Sequence, residues 1–312
     1  MKRFLIAAAA GALALVSGCA SVKEQAAAPA PASAVVAPQP ALWVVRDADS
    51  VIYLYGTIHL RKSGASWGGP AAERALSEAQ EVWTEIDMDP AKDGETQGLV
   101  MKYGIDTARA LSSKVTPARW TQIQAAATGF GMPAANLEPM KPWLASLTFT
   151  VLPMMKAGYD PNAGVDRAID RIARAGAKTM RAFETAEEQL QFFSTFSEEV
   201  QVQMLYESLD EMDRGAAALT AMEAAWEKGD DRTLANEMVS EMAREYPELY
   251  DVLLKRRNAA WTETLVNELK GSGVDFVAVG AAHLVGPDSV QAMLQARNLT
   301  GVTIDRVTPA PY

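Results

Sequence analysis

The two histidines are the most informative residues of this chain, because chemistry that needs an imidazole must use one or both of them. His59 and His283 are the only histidines among 312 residues. Each ends a G-x-x-H motif, Gly56 to His59 and Gly280 to His283, and each motif directly follows an apolar run typical of a β-strand. A glycine that ends a strand permits a tight turn, so the side chains after it can point into the crevice above a sheet. We therefore predict that two remote parts of the chain place both imidazoles in one cleft, although either histidine taken singly could be a surface or hydrogen-bonded core residue.

Carboxylates that could act with these imidazoles lie in or next to other predicted strands. Two imidazoles and a carboxylate suit a divalent transition metal. Glu85 is the leading carboxylate, and Asp87 lies on the same face of its strand as a possible supporting residue. Glu184, at the end of another strand, is the second candidate. Each glutamate also has an ordinary structural interpretation: a solvated strand face for Glu85, and charge complementation of a helix N-terminus for Glu184.

A basic segment on a predicted helix offers a further candidate. Arg257 is preceded by Arg256 and followed by Asn258. Arg257 could stabilise an oxyanion or hold a substrate carboxylate, with Asn258 in a supporting role. A solvated basic helix face explains the same pattern equally well.

The elements that must position these residues are strands on either side of a long helical middle. β-branched and aromatic runs predict a hairpin over 42–45 and 51–55 and a strand with a polar edge over 81–88. Further strands are predicted over 178–183, 274–279 and 302–307, and helices over 71–79 and from a capping box at Thr185 to about Lys270. Pro142 to Met155 predicts a buried core helix or, alternatively, a methionine-lined substrate groove. The expected fold is α/β, with a mixed central sheet, flanking helices and a long helical middle region.

Composition excludes several classes of protein. The chain is 49% hydrophobic and 22% charged, which is unlike an intrinsically disordered protein. Its one cysteine cannot form a disulfide scaffold or a thiolate zinc cluster. A formal net charge of −10 argues against nucleic-acid binding.

The N-terminus predicts export and a lipid anchor. Lys2 and Arg3 precede an apolar run, Phe4 to Val16, of the length of a signal peptide and too short to span a bilayer. The run ends in Leu15-Val16-Ser17-Gly18-Cys19, which resembles the lipobox of bacterial lipoproteins, with Cys19 as the lipidated residue. An ordinary secretory peptide with an incidental cysteine is the alternative. We expect a signal peptide over 1–18, an Ala/Pro-rich tether over 19–41 and one domain over 42–312. The protein would be held in the bacterial envelope by its lipid alone, and the Ala20 that follows the cysteine implies the outer membrane, facing the periplasm.

The motifs together resemble the TraB/GumN family, which shares a superfamily with the Tiki metalloproteases and resembles the erythromycin esterases. The resemblance covers about Leu42 to Val307 and is carried, in chain order, by Gly56-Thr57-Ile58-His59, Glu85-Ile86-Asp87, Lys141-Pro142-Trp143, Gly164-Val165-Asp166, Phe183-Glu184-Thr185, Glu188-Gln189, Lys228-Gly229-Asp230, Arg257-Asn258 and Gly280-Ala281-Ala282-His283-Leu284. It implies a site built from His59, His283 and Glu85, and metal-dependent peptide hydrolysis, with Mn²⁺ or Co²⁺ in the Tiki branch. The chain departs from the pheromone-shutdown members in lacking membrane-spanning segments near its C-terminus.

The resulting functional prediction is an envelope hydrolase of peptide bonds with one site for Mn, Co or Zn. His59 and His283 would bind the metal, with Glu85 as third ligand or general base. Two alternatives stay open: a metal-free, esterase-like hydrolase with His59 as general base, and a non-enzymatic lipoprotein that binds a small ligand or haem. The substrate, a peptide or small molecule, and the oligomeric state are not determined by the sequence.

Overall fold

The computed structural model describes residues 38–311. The predicted signal peptide, the lipidated Cys19 and the tether up to residue 37 lie outside the described residues, and envelope anchoring therefore stays a prediction. The last four residues of the predicted tether contact the domain. Pro38 and Pro40 are buried, and the Gln39 backbone N–H donates to the Glu227 carbonyl at 2.7 Å. No helix within the described part of the chain is both long and apolar enough to cross a bilayer.

A mixed sheet of six strands forms the centre of the described domain, and the predicted α/β fold is confirmed. In chain order the strands are β1 (Leu42–Arg46), β2 (Ser50–Thr57), β3 (Arg61–Lys62), β4 (Glu81–Ile86), β5 (Tyr159–Asp160), β6 (Thr179–Glu184), β7 (Gly273–Gly280) and β8 (Thr303–Arg306). The sheet order is β6-β4-β7-β2-β1-β8, and β3 pairs separately with β5. The neighbours β6, β4, β7 and β2 run parallel, whereas β1 is antiparallel to β2 and to β8. Four parallel strands therefore end at the same edge.

The predicted polar edge of the 81–88 strand is wrong. β4 ends at Ile86 and lies between β6 and β7 in the interior of the sheet. Both of its faces are covered: Val82 packs in one apolar core, and Trp83 packs in a second core on the opposite face. Strands of a parallel sheet are usually buried on both faces, so alternating polar residues do not mark a solvent face here.

Helices cover both faces of the sheet and its carboxyl edge. They are α1 (Pro70–Glu78), α2 (Asp93–Gly104), α3 (Pro117–Gly129), α4 (Pro142–Lys156), α5 (Val165–Ala175), α6 (Ala186–Ser194), α7 (Glu198–Glu227), α8 (Asp231–Leu234), α9 (Glu241–Glu245), α10 (Pro247–Tyr250), α11 (Arg256–Glu268) and α12 (Val290–Ala296). Two π-helical segments join successive helices: Ala235–Ser240 joins α8 to α9, and Asp251–Lys255 joins α10 to α11. We call residues 186–255, from α6 to the second π segment, the helical cap.

Local signals in the sequence explain where the helical cap begins and why its first long helix ends. The capping box at Thr185 forms: the Glu188 backbone N–H donates to Thr185 Oγ1, and the Thr185 N–H donates to the Glu188 carboxylate. Beyond the end of α7, Gly229 has a φ of +65°, the left-handed conformation that stops a helix at low cost. The predicted helix over 142–155 is α4, and most of its residues are buried as in a core helix.

Candidate active site

The register of the parallel strands brings the two G-x-x-H loops together. Gly56 pairs with Val279, and Thr57 pairs with Gly280, so β2 and β7 end at the same level. β4 lies on the other side of β7, and Glu85 is its penultimate residue. The strand ends therefore deliver His59, Glu85 and His283 to one point at the carboxyl edge of the sheet, where ligand sites of open α/β sheets usually lie.

The two motif glycines serve different purposes. A Cβ on Gly56 would lie 3.1 Å from the Cα of Ala281, so Gly56 lets the two loops pack backbone against backbone. A Cβ on Gly280 would lie 3.0 Å from Glu85 Oε1 and 3.3 Å from His59 Nε2. The φ of Gly280 is −50°, which any residue can adopt. Glycine at position 280 therefore leaves space for the side chains of the site, and its backbone conformation does not require a glycine.

Both imidazoles turn the same ring nitrogen toward one carboxylate oxygen. His59 Nε2 and His283 Nε2 each lie 3.9 Å from Glu85 Oε1. The opposite ring nitrogens are engaged: His59 Nδ1 donates to Asp166 Oδ2 at 3.0 Å, and His283 Nδ1 donates to Asn258 Oδ1 at 2.5 Å. In turn the amide of Asn258 donates to the Asp288 carbonyl at 2.7 Å, which sets its orientation. These partners hold the proton of each ring on Nδ1, so that in the neutral form the Nε2 lone pair faces Glu85.

Glu85 is held ionised by a full set of donors. Its Oε1 accepts from the Gly280 backbone N–H at 2.7 Å, and its Oε2 accepts from Arg257 Nη2 at 2.6 Å and Gln189 Nε2 at 3.1 Å. Burial by itself would raise the pKa of this carboxyl, but the positive charge of Arg257 and the neighbouring imidazoles outweigh it and hold the pKa well below its usual range. The carboxylate form is therefore the one present at neutral pH.

Arg257 joins the second carboxylate to the site. Its guanidinium donates twice to Glu184, at 2.8 Å from Nε and at 2.8 Å from Nη2, and Glu184 also accepts from Trp261 Nε1 at 3.0 Å. The Nη1 atom lies 3.2 Å from His283 Nε2. Burial opposes the positive charge, but the two glutamates raise the pKa of Arg257 further. The permanent positive charge of Arg257 thus lies next to both glutamates and to His283.

The two histidines differ in charge preference because their neighbours differ. Burial, and then the charge of Arg257, lower the pKa of His283 to about 3, so this ring is neutral. Burial alone would also lower the pKa of His59, but the carboxylates of Asp166 and Glu85 raise it overall. Two carboxylates, Glu85 and Glu184, thus pair with the single guanidinium of Arg257, and a third, Asp166, pairs with His59. The cluster carries a net charge of −2 when both imidazoles are neutral and −1 when His59 is protonated, so it is negative in either state.

Most of the residues predicted to form the site meet there. His59, Glu85, Glu184, Arg257, Asn258 and His283 form one network with hydrogen bonds or close approaches. Asp87 does not join it. Because β4 ends at Ile86, Asp87 turns away and binds Lys92 and Arg174 at the surface, at 2.7 and 2.6 Å.

Sequence reasoning did not single out Asp166, Gln189 or Thr57 as site residues. Asp166 lies in the first turn of α5, which docks through a hydrogen bond from the Val165 N–H to the Ile58 carbonyl at 2.9 Å. A Cβ on the preceding Gly164 would lie 2.6 Å from the His59 carbonyl, so only glycine allows this approach. The signal was available, since Gly164-Val165-Asp166 belongs to the motifs that carry the family resemblance.

A cavity of about 60 Å³ lies between the cluster and the helical cap. His59, Glu85, Arg257 and His283 contribute its polar wall, and each is less than 10% exposed. A smaller cavity of about 10 Å³, room for roughly one water, lies behind His59. Three residues on its lining have a buried polar atom without a protein partner: Thr57 Oγ1, Asp166 Oδ1 and Gln189 Oε1.

The chemistry of this donor set fits a divalent cation. Metal-bound histidines usually donate their second ring nitrogen to a carboxylate or carbonyl oxygen, as His59 and His283 do. A charge of +2 would also neutralise the cluster. The spacing is wider than in a closed site, because the ligand atoms of His59, His283 and Glu85 do not all lie within 4.8 Å of one another. Among residues 38–311, a tighter acidic group, Glu81, Glu268 and Asp275, lies away from this edge near the start of β4 and β7.

Comparison with known proteins identifies a family. A model of the TraB/PrgY/gumN family matches residues 41–302. The chain is 23% identical over 260 residues to YbaP of Escherichia coli strain K12, covering 82% of this chain and 92% of that protein. YbaP of Shigella flexneri matches to the same extent. Both relatives bear the description "uncharacterized protein". No solved structure matches the chain.

Proposed function

The chain belongs to the TraB/PrgY/gumN family, and we propose that it is a hydrolase of peptide or other amide bonds that depends on one divalent metal ion. One observation carries the proposal: two imidazoles with fixed tautomers converge on the same carboxylate oxygen, at 3.9 Å each, inside a buried cluster of net negative charge. Burying uncompensated charge is costly, and replacing a buried ionic cluster by apolar residues often leaves a fold equally stable. This arrangement therefore points to a function in binding a cation.

The residues that would hold the ion are His59, His283 and Glu85. A divalent ion bound there, Mn, Co or Zn, would polarise a water molecule and the scissile carbonyl. Asp166 and Asn258 hold the proton of each ring on Nδ1, so Nε2 is the nitrogen that would bind the ion. Glu85 Oε1 would serve as the third ligand, because a carboxyl whose pKa is held this far below its usual range stays ionised and is a weak proton acceptor.

Arg257 supplies the positive charge that the reaction needs beside the carbonyl. Arg257 lines the same cavity as the histidines. Its Nη1 donates to the Leu253 carbonyl at 3.1 Å and lies 3.2 Å from His283 Nε2, and its other nitrogens are anchored on Glu85 and Glu184. A guanidinium held in this way stabilises negative charge on the carbonyl oxygen in the transition state without having to reorganise. Trp261 keeps the guanidinium in place, with its ring 4.8 Å from the charged carbon.

A specific observation favours a second candidate, hydrolysis without a metal. The His59 and Asp166 pair, joined at 3.0 Å, has the geometry of an imidazole general base oriented by a carboxylate. His59 would then take the proton from the attacking water, and Arg257 would remain the group that stabilises the oxyanion. Activity that persists after dialysis against a chelator would favour this candidate over the metal-dependent one.

The test is to purify the protein without chelators and measure bound metal and the release of amines from a peptide pool. His59→Ala, His283→Ala and Glu85→Gln are each expected to lose both properties. Asp87→Asn is the matched control, because it removes a carboxylate just beyond the same strand but outside the cluster. Wild-type metal content and activity in any two of the three site variants would refute the proposal.

A spectroscopic measurement separates ligation from loss of folding. Because the chain has only two histidines, selective ¹⁵N labelling gives two imidazole spin systems. Adding Zn²⁺ to the metal-free protein should shift the Nε2 resonances of both rings, while the Nδ1 resonances stay those of protonated nitrogens. A shift confined to one ring, or to Nδ1, would contradict the assigned ligand set.

A further inference from the structure

The cavity beside the candidate active site has a second, wholly apolar wall. Three methionines from different segments of the helical cap line this wall: Met222 of α7, Met238 of the first π segment and Met242 of α9. All three are at least 90% buried. The rest of the wall is aliphatic or aromatic and comprises Leu219, Leu253, Leu254, Phe192 and Phe193.

Two features suggest that this wall is more than ordinary core packing. Met238, Leu253 and Leu254 lie in π-helical segments, which are rare in proteins and are often found at functional sites. The wall also bounds a cavity that is continuous with His59, Glu85 and Arg257, whereas buried side chains normally pack without such a gap. The methionines predicted as a possible groove, in α4, do not line this cavity.

The size of the cavity limits what can enter. One water molecule needs about 10–15 Å³ of cavity volume, so a cavity of about 60 Å³ holds roughly four to six atoms the size of a water oxygen. Leucine and methionine side chains have four heavy atoms beyond Cα. A benzene ring occupies cavities of about 150 Å³, so a phenylalanine side chain is too large.

The charges of the residues that line the cavity further limit which substrate side chains can enter. All the titratable residues that line the cavity, His59, Glu85, Arg257 and His283, belong to the polar cluster. We call the apolar wall around Met222, Met238 and Met242 the methionine wall. A charged side chain of a substrate placed against it would lose its hydration without finding a partner. An aliphatic side chain lying there would have its own backbone amide next to the polar wall.

We propose that the methionine wall is the specificity pocket of the enzyme, which binds a leucine- or methionine-like side chain next to the scissile amide and excludes aromatic and charged ones. This rests on the proposed function, since it names the substrate class of the same site. Methionine side chains are flexible and polarizable, which suits them to enclose either a branched or an unbranched aliphatic chain.

The first experiment compares capped peptides that differ in one residue, Leu, Met, Phe, Asp or Gly, beside the cleaved bond. Leu and Met are expected to give kcat/KM values about 10- to 100-fold above those of the other three. The second measures the thermal stabilisation of the wild-type protein by N-acetyl-leucinamide, with N-acetyl-phenylalaninamide and N-acetyl-glycinamide as references. Only the leucine derivative is expected to raise Tm.

Enlarging the pocket should change the preference. Met238→Ala is expected to raise the ratio of Phe to Leu hydrolysis at least tenfold, and Met222→Ala serves as a second enlargement if the first does not fold. Met154→Ala is the matched control, because Met154 is also buried, in α4, but does not line the cavity. The control should leave the ratio unchanged.

The outcomes separate the two proposals. Peptide hydrolysis without a side-chain preference would overturn the pocket and leave the hydrolase standing. Stabilisation by N-acetyl-leucinamide without hydrolysis of any peptide would support the pocket and overturn the hydrolase. Unchanged Phe to Leu ratios in both folded methionine variants would also overturn the pocket.

Discussion

Replacing Gly280 by alanine tests the candidate site with a single methyl group. The backbone at 280 has φ −50° and ψ 135°, so alanine fits it without strain. At such positions Gly→Ala stabilises a fold by about 0.4–1 kcal/mol, because the unfolded chain loses freedom. The new methyl would lie 3.0 Å from Glu85 Oε1, 3.3 Å from His59 Nε2 and 3.6 Å from His283 Cδ2. We therefore expect a free energy of unfolding within about 1 kcal/mol of wild type, but a metal affinity lower by about 10- to 100-fold.

The assay combines urea unfolding with calorimetric titration of Mn²⁺ into the metal-free protein. Gly56→Ala is the matched control, because its methyl would meet the backbone of Ala281 at 3.1 Å and force the two loops apart. That variant is expected to lose about 1–3 kcal/mol of stability. If Gly280→Ala binds Mn²⁺ as tightly as wild type, the ion does not occupy the space between His59 and Glu85, and the assigned site is wrong.

Three further predictions test other parts of the structure. Asp166→Asn is expected to lower the affinity for Mn²⁺ about 10- to 100-fold, because the tautomer of His59 is no longer fixed; calorimetry checks this. Trp226→Phe removes the hydrogen bond to the buried Gly56 carbonyl, 2.7 Å long, and should cost about 1–3 kcal/mol in urea unfolding. Burial and two neighbouring glutamates raise the pKa of Asp275 to about 6, above the roughly 3.9 of an unfolded chain. The contribution of Asp275 to stability should therefore fall as the pH rises from 4 to 6. Asp275→Asn should be about 1–2 kcal/mol more stable than wild type at pH 8 and equally stable at pH 3.5, as the difference in Tm between the two proteins measured against pH will show.

The strands and the residues at their ends could be predicted from the sequence. The β-branched and aromatic runs before the two G-x-x-H motifs become β2 and β7, and their pairing brings His59 and His283 to one edge. This worked because a buried parallel strand is a local feature and its carboxyl end determines where the next side chains emerge. Pairing order is not local, so the alternating sequence of β4 predicts a polar edge although the strand lies inside the sheet.

The partners that orient these residues could not be assigned from spacing alone. Asp166 reaches His59 because α5 docks on the loop through the Ile58 carbonyl, and this contact depends on how remote segments pack. Arg257 looked equally like part of a solvated basic helix face. Its neighbour Arg256 is indeed exposed and pairs with Asp251, whereas Arg257 is buried against Glu184. Arg256 and Arg257 are adjacent in the helix, yet one is exposed and the other is buried. In a helix with few apolar residues, their spacing does not reveal which face is buried.

The helical cap is hidden from sequence reasoning for a different reason. Met222, Met238 and Met242 have the spacing and composition of core residues, and they are indeed buried. What distinguishes them is the small cavity that they leave beside the cluster, and a cavity depends on how segments far apart in the chain fail to fill a space. Residues of the active site can be found from side chains that are unusual for their position. Residues that select the substrate are of ordinary chemical types, and they can be recognised only after the charged cluster has shown which cavity belongs to the active site.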